Sequence, residues 1–352
     1  MKRNSISLIV FVTLLIVSCT TRTSDIHKIG VMLPLTGYAS YTGQLLKQGV
    51  DMAMDSIDFD EFTITVEDNQ VNAKAAINLY NNMAARGYSC FISGGAPTTM
   101  AIAPMTKGKD QVLLATAVNS AELTNVTDRA VRLSPTGLSM ASKLAEYNYN
   151  ELNLKKTSIL YVNIEMGDEF RIGYKKRFQE LGGTIVSEYV YESSQRDFKD
   201  IINKMVVDKP DGVYVVGVGE NMSILIRQII QHPAASNIII TGDFNISSAG
   251  VISAIGKTER DIYYTDIDID SNFAAAYVNR YHQPASVYPA FTYALLQIYK
   301  EVVESGKVNS ATDIYNAVVG KSFETVIKTI TFDKNGEPTF DIVFKKMNTY
   351  EK

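Results

Sequence analysis

A regular alternation of short apolar runs with amphipathic runs constrains the fold more than any other feature of this chain. It occurs twice, from Ile29 to Ser120 and again from Ser158 to Thr265. Apolar runs of roughly four to eight residues are typical of buried strands, and the runs between them have the period of a helix. Strands that alternate with helices form parallel sheets through right-handed crossovers. The sequence therefore predicts an α/β protein with two lobes, each a parallel sheet flanked by helices.

The two sets are separated by a turn-rich stretch at residues 134–137. After Asp270 the pattern is mostly helical, and two strand-like runs, 325–332 and 340–344, flank a hairpin turn at 333–336. A chain of 352 residues is longer than a single hydrophobic core usually serves, which also favours two lobes.

The N-terminus has the pattern of an export signal. Lys2 and Arg3 precede an apolar run at residues 8–17. That run is shorter than the roughly twenty apolar residues that span a bilayer, and its length suits the core of a signal peptide. Residues 16–19, Ile-Val-Ser-Cys, resemble the bacterial lipobox, in which the cysteine receives a diacylglycerol. This resemblance predicts lipidation of Cys19.

On this interpretation residues 1–18 are removed, Cys19 begins the mature chain, and residues 19–28 tether the first strand to a membrane. The alternative is an ordinary secretory signal in which Cys19 happens to lie near the cleavage site. The lipid-anchored interpretation predicts a protein of the cell envelope, on its periplasmic or extracellular face.

Composition excludes several classes of function. The formal net charge is −4, and without a basic run a nucleic-acid partner is not expected. With Cys19 lipidated, only Cys90 remains, so no intramolecular disulfide can form and Cys90 is expected to be a buried core thiol. The three histidines, His27, His232 and His282, are scattered, so no metal site is predicted.

The sequence also gives no sign of an enzyme. Gly217-Val218-Gly219 begins a dinucleotide fingerprint but lacks the third glycine, so no cofactor is expected. Nucleophile-elbow, P-loop and zinc-protease motifs are absent from the sequence. The remaining enzyme hypothesis is an exported glycoside hydrolase with an unidentified carboxylate pair. We expect a non-enzymatic protein.

Taken together, several motifs resemble those of the leucine/isoleucine/valine-binding proteins, the type I periplasmic solute-binding receptors of branched-chain amino-acid ABC transporters. Their order and spacing carry the resemblance from about residue 26 to residue 347. The matching segments are Ile29–Gly37 with Gly43, Glu67-Asp68, Phe91–Gly95 before Pro97–Thr99, Asn119–Thr124, Val131–Ser134, Met166-Gly167 and Phe332–Glu337.

The resemblance implies two Rossmann-like lobes joined by three crossings, with a small-molecule ligand held in the cleft between them. It divides the chain into a first lobe of residues 29–135 plus 268–325 and a second lobe of residues 136–267 plus 326–352. The crossings, which would act as hinges, are expected near Pro135, 266–268 and 320–330. The implied partners are an amino acid or related carboxylate and a membrane permease.

Ligands of open α/β sheets bind outside the carboxyl ends of the strands, so the loops after the strands are the candidate site. The strongest candidate is Gly94–Thr99, which enters a helix. The hydroxyls of Thr98 and Thr99 and the free helix N–H groups suit a ligand carboxylate. The alternative is that one threonine only caps the helix.

Three further first-lobe residues are candidates. In the resembled family, a backbone carbonyl and a hydroxyl after the fourth strand contact the ligand, which implies roles for Ala117 and Asn119. Asn119 replaces the usual threonine or serine, and its amide can still donate and accept hydrogen bonds. Tyr41 is the candidate for an aromatic wall of the cleft, with an exposed loop residue as the alternative.

The second lobe departs from the family pattern. Met166 stands where many members have a tyrosine, and Val218-Gly219 stands where an aromatic pair is common. Asp243 falls close to the acidic residue that meets the ligand's ammonium, unless it only caps the following helix. These differences put branched-chain specificity in doubt, and they keep a second hypothesis open: an envelope lipoprotein that senses or regulates without transport.

Overall fold

The computed structural model describes residues 25–120 and 122–347. The predicted signal peptide at 1–18, the lipidation site Cys19 and most of the predicted tether lie outside these residues. Among the described residues, no helix combines the length and the apolar character needed to cross a membrane.

The first large sheet is built from the first set of alternating elements. Its strands are β1 (Asp25–Leu33), β2 (Thr63–Asp68), β3 (Tyr88–Gly94), β4 (Val112–Thr116) and β5 (Ala130–Leu133). They are parallel and lie in the order β2-β1-β3-β4-β5. The helices are α1 (Ser40–Ser56), α2 (Ala73–Ala85), α3 (Ala96–Thr106) and α4 (Leu123–Val126). The central strand β3 is buried along its whole length, as expected for a strand with both faces covered.

The second set of elements forms a second parallel sheet. Its strands are β6 (Lys156–Val162), β7 (Thr184–Tyr191), β8 (Gly212–Val216), β9 (Ile239–Gly242) and β10 (Ile262–Ile267). Its helices are α5 (Gly137–Asn150), α6 (Glu165–Glu180), α7 (Lys199–Val207), α8 (Gly219–Gln231) and α9 (Ala249–Ile255), with short 3-10 turns at Pro233–Ala235 and Phe244–Ser247.

The C-terminal part contributes to both halves of the molecule. It contains α10 (Ser271–Tyr281), α11 (Val287–Glu304), α12 (Ala311–Val318), β11 (Ser322–Thr325), β12 (Lys328–Phe332), β13 (Pro338–Thr339) and β14 (Ile342–Met347). Strand β14 pairs antiparallel with β10 and completes the order β14-β10-β9-β8-β6-β7. Strands β11, β12 and β13 form a small antiparallel sheet.

The small sheet lies against the first large sheet. The backbone N–H of Arg132 donates to Gly336 O at 3.0 Å, and Phe332 lines a small apolar cavity together with Leu114 and Val131. The last passage between the sheets is therefore at 340–341, after β13, whereas the family resemblance predicted it near 320–330. The difference arises because β12 pairs with β13 across the turn, and only β14 enters the second sheet.

We call the five-stranded sheet with its helices, α10 to α12 and the small sheet the first lobe. We call the six-stranded sheet with α5 to α9 the second lobe. Helix α11 belongs to the first lobe because it packs closely on α1. A Cβ atom added to Gly49 of α1 would lie 2.0 Å from Pro289 O of α11, so the absence of a side chain at Gly49 permits this approach.

The predicted α/β class with parallel sheets flanked by helices is confirmed. Two elements near the first passage were not predicted. Strand β5 is short, and the charged Arg132 interrupts its apolar run, so the sequence does not show the pattern of a buried strand there. Helix α5 begins after Thr136, whose hydroxyl accepts a hydrogen bond from Ser139 N at 3.1 Å and so caps the helix.

Candidate functional site

The loop between β3 and α3 buries its two threonine side chains. Gly95, the residue before α3, has a φ of +89°, which glycine adopts readily. Thr98 Oγ1 donates to Gly94 O at 3.1 Å, and Thr99 Oγ1 hydrogen-bonds with Ser93 Oγ at 2.8 Å. Both hydroxyls thus bond inside the first lobe. The groups of α3 left without helical partners are the backbone N–H groups of its first turn.

Asn69, which was not predicted as a site residue, organises this loop. Its Nδ2 donates to Met32 O at 3.2 Å, to Gly94 O at 3.1 Å and to Thr98 Oγ1 at 3.1 Å. Its Oδ1 accepts from Val71 N at 3.0 Å. One buried amide therefore joins the carboxyl ends of β1 and β3 to the start of α3. Its position directly after β2, at the same sheet edge, is the sequence signal that could have identified it.

The loop after β4 is held against the first passage between the lobes. Ala117 has a φ of +52°, an uncommon conformation for a residue with a Cβ atom. Ser134 Oγ donates to Val118 O at 2.8 Å, and Asn119 Nδ2 donates to Pro135 O at 3.0 Å. The predicted site residues Ala117 and Asn119 therefore lie on a loop that is hydrogen-bonded to the first passage between the lobes.

Arg132 also fixes the loop after β4. Its guanidinium forms a two-pronged ion pair with Glu337, of which the Nε–Oε2 distance is 2.9 Å. It also donates to the carbonyl oxygens of Val118 and Ser120. Arg132 is fully buried, so its charge is balanced by these partners rather than by water.

Tyr41 contacts the second lobe. Its hydroxyl accepts a hydrogen bond from Gly250 N at 3.1 Å, and a Cβ atom added to Gly250 would lie 3.0 Å from that hydroxyl. Tyr41 is at the start of α1 and Gly250 is in α9. The predicted aromatic residue therefore lies between the lobes, and its hydroxyl bonds to protein backbone.

Asp243 is fully buried at the carboxyl end of β9. Its Oδ1 accepts from Asn245 N at 2.8 Å and from Asn245 Nδ2 at 2.5 Å, whereas Oδ2 has no hydrogen-bond partner within the described residues. Burial raises the pKa of Asp243 to about 7. Burial, and then the nearby charge of Asp243, also raises the pKa of the phenols of Tyr191, Tyr214 and Tyr288. Asp243 thus caps the 3-10 turn with one oxygen and leaves the other free.

A second contact between the lobes reaches Asn245. Tyr288, in the first turn of α11, donates its hydroxyl to Asn245 Oδ1 at 2.6 Å. The rings of Phe244 and Tyr288 meet edge to face with 5.9 Å between their centroids. Neither Asn245 nor Tyr288 was predicted as a site residue.

The remaining second-lobe candidates line loops after β6 and β8. Met166 is half-buried in the first turn of α6 and packs against two apolar clusters of the core. Gly219 begins α8 with a φ of +62°, and a Cβ atom there would meet nothing within 4 Å. The absent side chain at Gly219 therefore leaves open space at this edge of the sheet.

The structure therefore brings the candidate residues to the carboxyl edges of the two sheets. Tyr41 and Asp243 are joined to the opposite lobe, directly or through Asn245, by the two contacts described above. Within residues 25–120 and 122–347, no group of His, Cys, Asp and Glu side chains is arranged to hold a metal ion.

Two α/β lobes linked by three chain passages, with polar groups at the carboxyl edges of both sheets, define the class of two-lobed solute-binding proteins. The sequence profile of the periplasmic binding protein family matches residues 27–350. The chain belongs to that family.

Among curated relatives, Leu/Ile/Val-binding protein homolog 3 of Brucella melitensis is 23% identical over 334 residues, which cover 89% of this chain and 90% of that protein. Among solved structures, the branched-chain amino-acid binding protein LivJ of Streptococcus pneumoniae in complex with isoleucine superposes with a TM-score of 0.80. It is 18% identical and covers 92% of this chain and 96% of its own.

A solute-binding protein of Rhodopseudomonas palustris in complex with 3,4-dihydroxybenzoic acid superposes with a TM-score of 0.81. It is 17% identical and covers 91% of this chain and 92% of its own. These comparisons confirm the predicted family and fold. They also confirm the expectation of a non-enzymatic protein, because the relatives are solute-binding receptors. Family membership implies a location outside the cytoplasm.

Proposed function

We propose that this protein is the lipid-anchored receptor of an ABC-type transporter and that it binds an amino acid or a similar small carboxylate between its lobes. The observation that carries this proposal is the buried carboxylate of Asp243. It lies at a carboxyl sheet edge beside a contact between the lobes, and its Oδ2 has no partner within the described residues. A buried acceptor of this kind is stabilised by a donor on a ligand.

The ligand's carboxylate is proposed to bind at the start of α3. First-turn N–H groups lack helical partners and the helix dipole favours an anion there. The hydroxyls of Thr98 and Thr99 support this site by shaping the loop, since they bond to Gly94 and Ser93. Ala117 and Asn119, on the neighbouring loop, are proposed to complete the first-lobe wall.

The other end of the ligand is proposed to carry a hydrogen-bond donor that meets Asp243. An α-ammonium group or a phenolic hydroxyl satisfies this requirement. Related structures hold ligands of both kinds, isoleucine in one and 3,4-dihydroxybenzoic acid in another. Met166 and the open space at Gly219 support a ligand whose middle part is apolar and bulky.

A thermal-shift panel of the twenty amino acids, benzoate and hydroxybenzoates tests the ligand class. A ligand at 100 times its Kd adds about 2.7 kcal/mol to the free energy of unfolding. We expect at least one donor-bearing carboxylate to raise Tm and Asp243→Asn to abolish the increase. If no compound in the panel raises Tm, the result would contradict the proposed ligand class and favour the sensor or regulator without transport.

The lipid anchor is tested separately, by metabolic labelling with a radioactive fatty acid in a bacterial host. We expect label in the wild-type protein and none in Cys19→Ser. The second cysteine, Cys90, is buried, so label that persists in Cys19→Ser would contradict lipidation at Cys19. Transport itself would be tested by comparing ligand uptake by cells with and without this protein.

A further inference from the structure

Three buried side chains form a continuous hydrogen-bonded chain from α11 to the carboxylate of Asp243. Tyr288 Oη lies 2.6 Å from Asn245 Oδ1, and Asn245 Nδ2 lies 2.5 Å from Asp243 Oδ1. The exposed fractions of Tyr288, Asn245 and Asp243 are 9%, 4% and 0%. The chain is therefore shielded from water along its length.

The direction of each hydrogen bond is fixed by its chemistry. Oδ1 of Asp243 accepts from the backbone N–H of Asn245, and the Asn245 NH₂ group is its second donor. The amide oxygen of Asn245 then faces Tyr288, whose hydroxyl supplies the required donor. Removing the Tyr288 hydroxyl would leave a buried amide oxygen without this partner and free the amide to rotate.

The two ends of this chain belong to different lobes. Tyr288 moves with the first lobe because α11 is fixed to α1, where Thr292 Oγ1 donates to Leu46 O at 2.6 Å. Asn245 moves with the second lobe because it follows β9 directly. The hydrogen bond between Tyr288 and Asn245 therefore exists only when the lobes are together.

We propose that Tyr288 and Asn245 are positioning residues that couple closure of the lobes to Asp243, so that its free oxygen is held for a ligand donor only in the closed state. This inference rests on the proposed function for its ligand. In the open state, Asp243 keeps the backbone N–H of Asn245 but loses the constraint on the Asn245 amide. Closure thus completes the site from the first-lobe side without Tyr288 bonding to the carboxylate itself.

The coupling to closure is tested without ligand, by spin labels on Met54→Cys and Val207→Cys. These two residues are exposed, at 47% and 75%, in the first and second lobe respectively. We expect Tyr288→Phe to move the distance distribution between the labels toward longer, open values. The matched control is Tyr299→Phe, which removes a buried hydroxyl of the same helix that bonds to Ile26 O inside the first lobe. Equal distributions in wild type and Tyr288→Phe would overturn the inference.

The coupling to Asp243 is tested with probe pairs that differ in one donor: L-isoleucine with 3-methylpentanoate, and 4-hydroxybenzoate with benzoate. Loss of one hydrogen bond corresponds to about a 3- to 10-fold change in affinity. We expect Tyr288→Phe and Asn245→Ala to lower the affinity for both members of the pair that binds. The affinity for the donor-bearing member should fall by this additional factor relative to its analogue.

An equal loss for both members would overturn the positioning role, because a merely structural effect does not distinguish them. If wild type binds neither pair, the proposed ligand class fails for these probes, and the spin-label distances alone decide the inference. The two failures are therefore distinguishable.

Discussion

At the scale of single residues, the proposed function rests more on Asp243 than on any other described side chain. Its place after a strand identifies it from sequence but leaves open whether the carboxylate caps a turn or faces a ligand. The structure allows both, because one oxygen caps and the other has no partner within the described residues. Tyr288, which we propose supports it, could not be identified from sequence, since it lies 43 positions from Asn245.

Asp243 makes the ligand-free protein less stable as pH rises. Its folded-state pKa of about 7 exceeds the ordinary value of 3.8, so its contribution to stability is fully present below about pH 4 and is lost as pH rises through 7. Between pH 5 and pH 8, the free energy of unfolding of wild type should fall by up to about 3 kcal/mol relative to Asp243→Asn. Urea unfolding of both proteins at the two pH values measures this. Parallel pH profiles would contradict a buried, titrating Asp243.

Among residues outside the apolar core, Arg132 should be one whose substitution lowers the free energy of unfolding most. Arg132→Ala removes the guanidinium donor to Glu337 and to the carbonyls of Val118 and Ser120, and breaking a buried pair in this way costs about 3–5 kcal/mol. The control Lys143→Ala breaks an exposed pair with Glu146 and should cost less than about 1 kcal/mol. Denaturant unfolding measures both. A similar small loss in both variants would show that Arg132 does not hold the β4 loop.

At the scale of elements, the carboxyl edge of the first sheet is organised by buried polar side chains. Asn69 joins β1, β3 and α3 through three donated hydrogen bonds. Thr98, predicted to bind a ligand, is part of this network, and Thr99 bonds to Ser93 beside it. Element types were well predicted where apolar periodicity was strong, as in β3 and α11. They were missed in β5, where a buried arginine interrupts the apolar run.

The Asn69 network predicts a specific loss on truncation. Asn69→Ala removes the amide donor to the carbonyls of Met32 and Gly94 and to Thr98 Oγ1, and this loss of buried hydrogen bonds costs about 1–3 kcal/mol. The same variant should weaken binding of any carboxylate found in the thermal-shift panel, because the start of α3 is no longer fixed. Asn82→Ala, at an exposed position of α2, is the control and should change neither quantity. If Asn69→Ala binds the carboxylate as tightly as wild type, the start of α3 is not part of the ligand site.

The path of the chain between the lobes shows that local apolar patterns do not determine which strands pair. The sequence predicts strands on both sides of the turn at 333–336, and both exist. However, the run predicted as the second arm of this hairpin pairs instead with β10, across the molecule. Pairing partners depend on tertiary contacts such as that of Phe332 with the first sheet, which a local apolar pattern does not encode. The exact lobe boundaries stay a prediction, and these contacts favour assigning residues 326–339 to the first lobe.

At the scale of the whole molecule, the two lobes are joined by three passages and by hydrogen bonds from side chains of one lobe to side-chain or backbone groups of the other. Tyr41 with Gly250 and Tyr288 with Asn245 are two such contacts. A ligand that touches both lobes adds further contacts to the closed state and shifts the equilibrium toward it. The predicted lipid anchor would hold such a receptor at a membrane.

Binding between the lobes is tested most directly by small-angle X-ray scattering of the purified protein with and without the carboxylate that gives the largest thermal shift. Ligand binding in the cleft should lower the radius of gyration, and Asp243→Asn should remove this decrease. A ligand that binds tightly while the radius of gyration of wild type stays constant, with the lobes open, would contradict binding in the interlobe cleft.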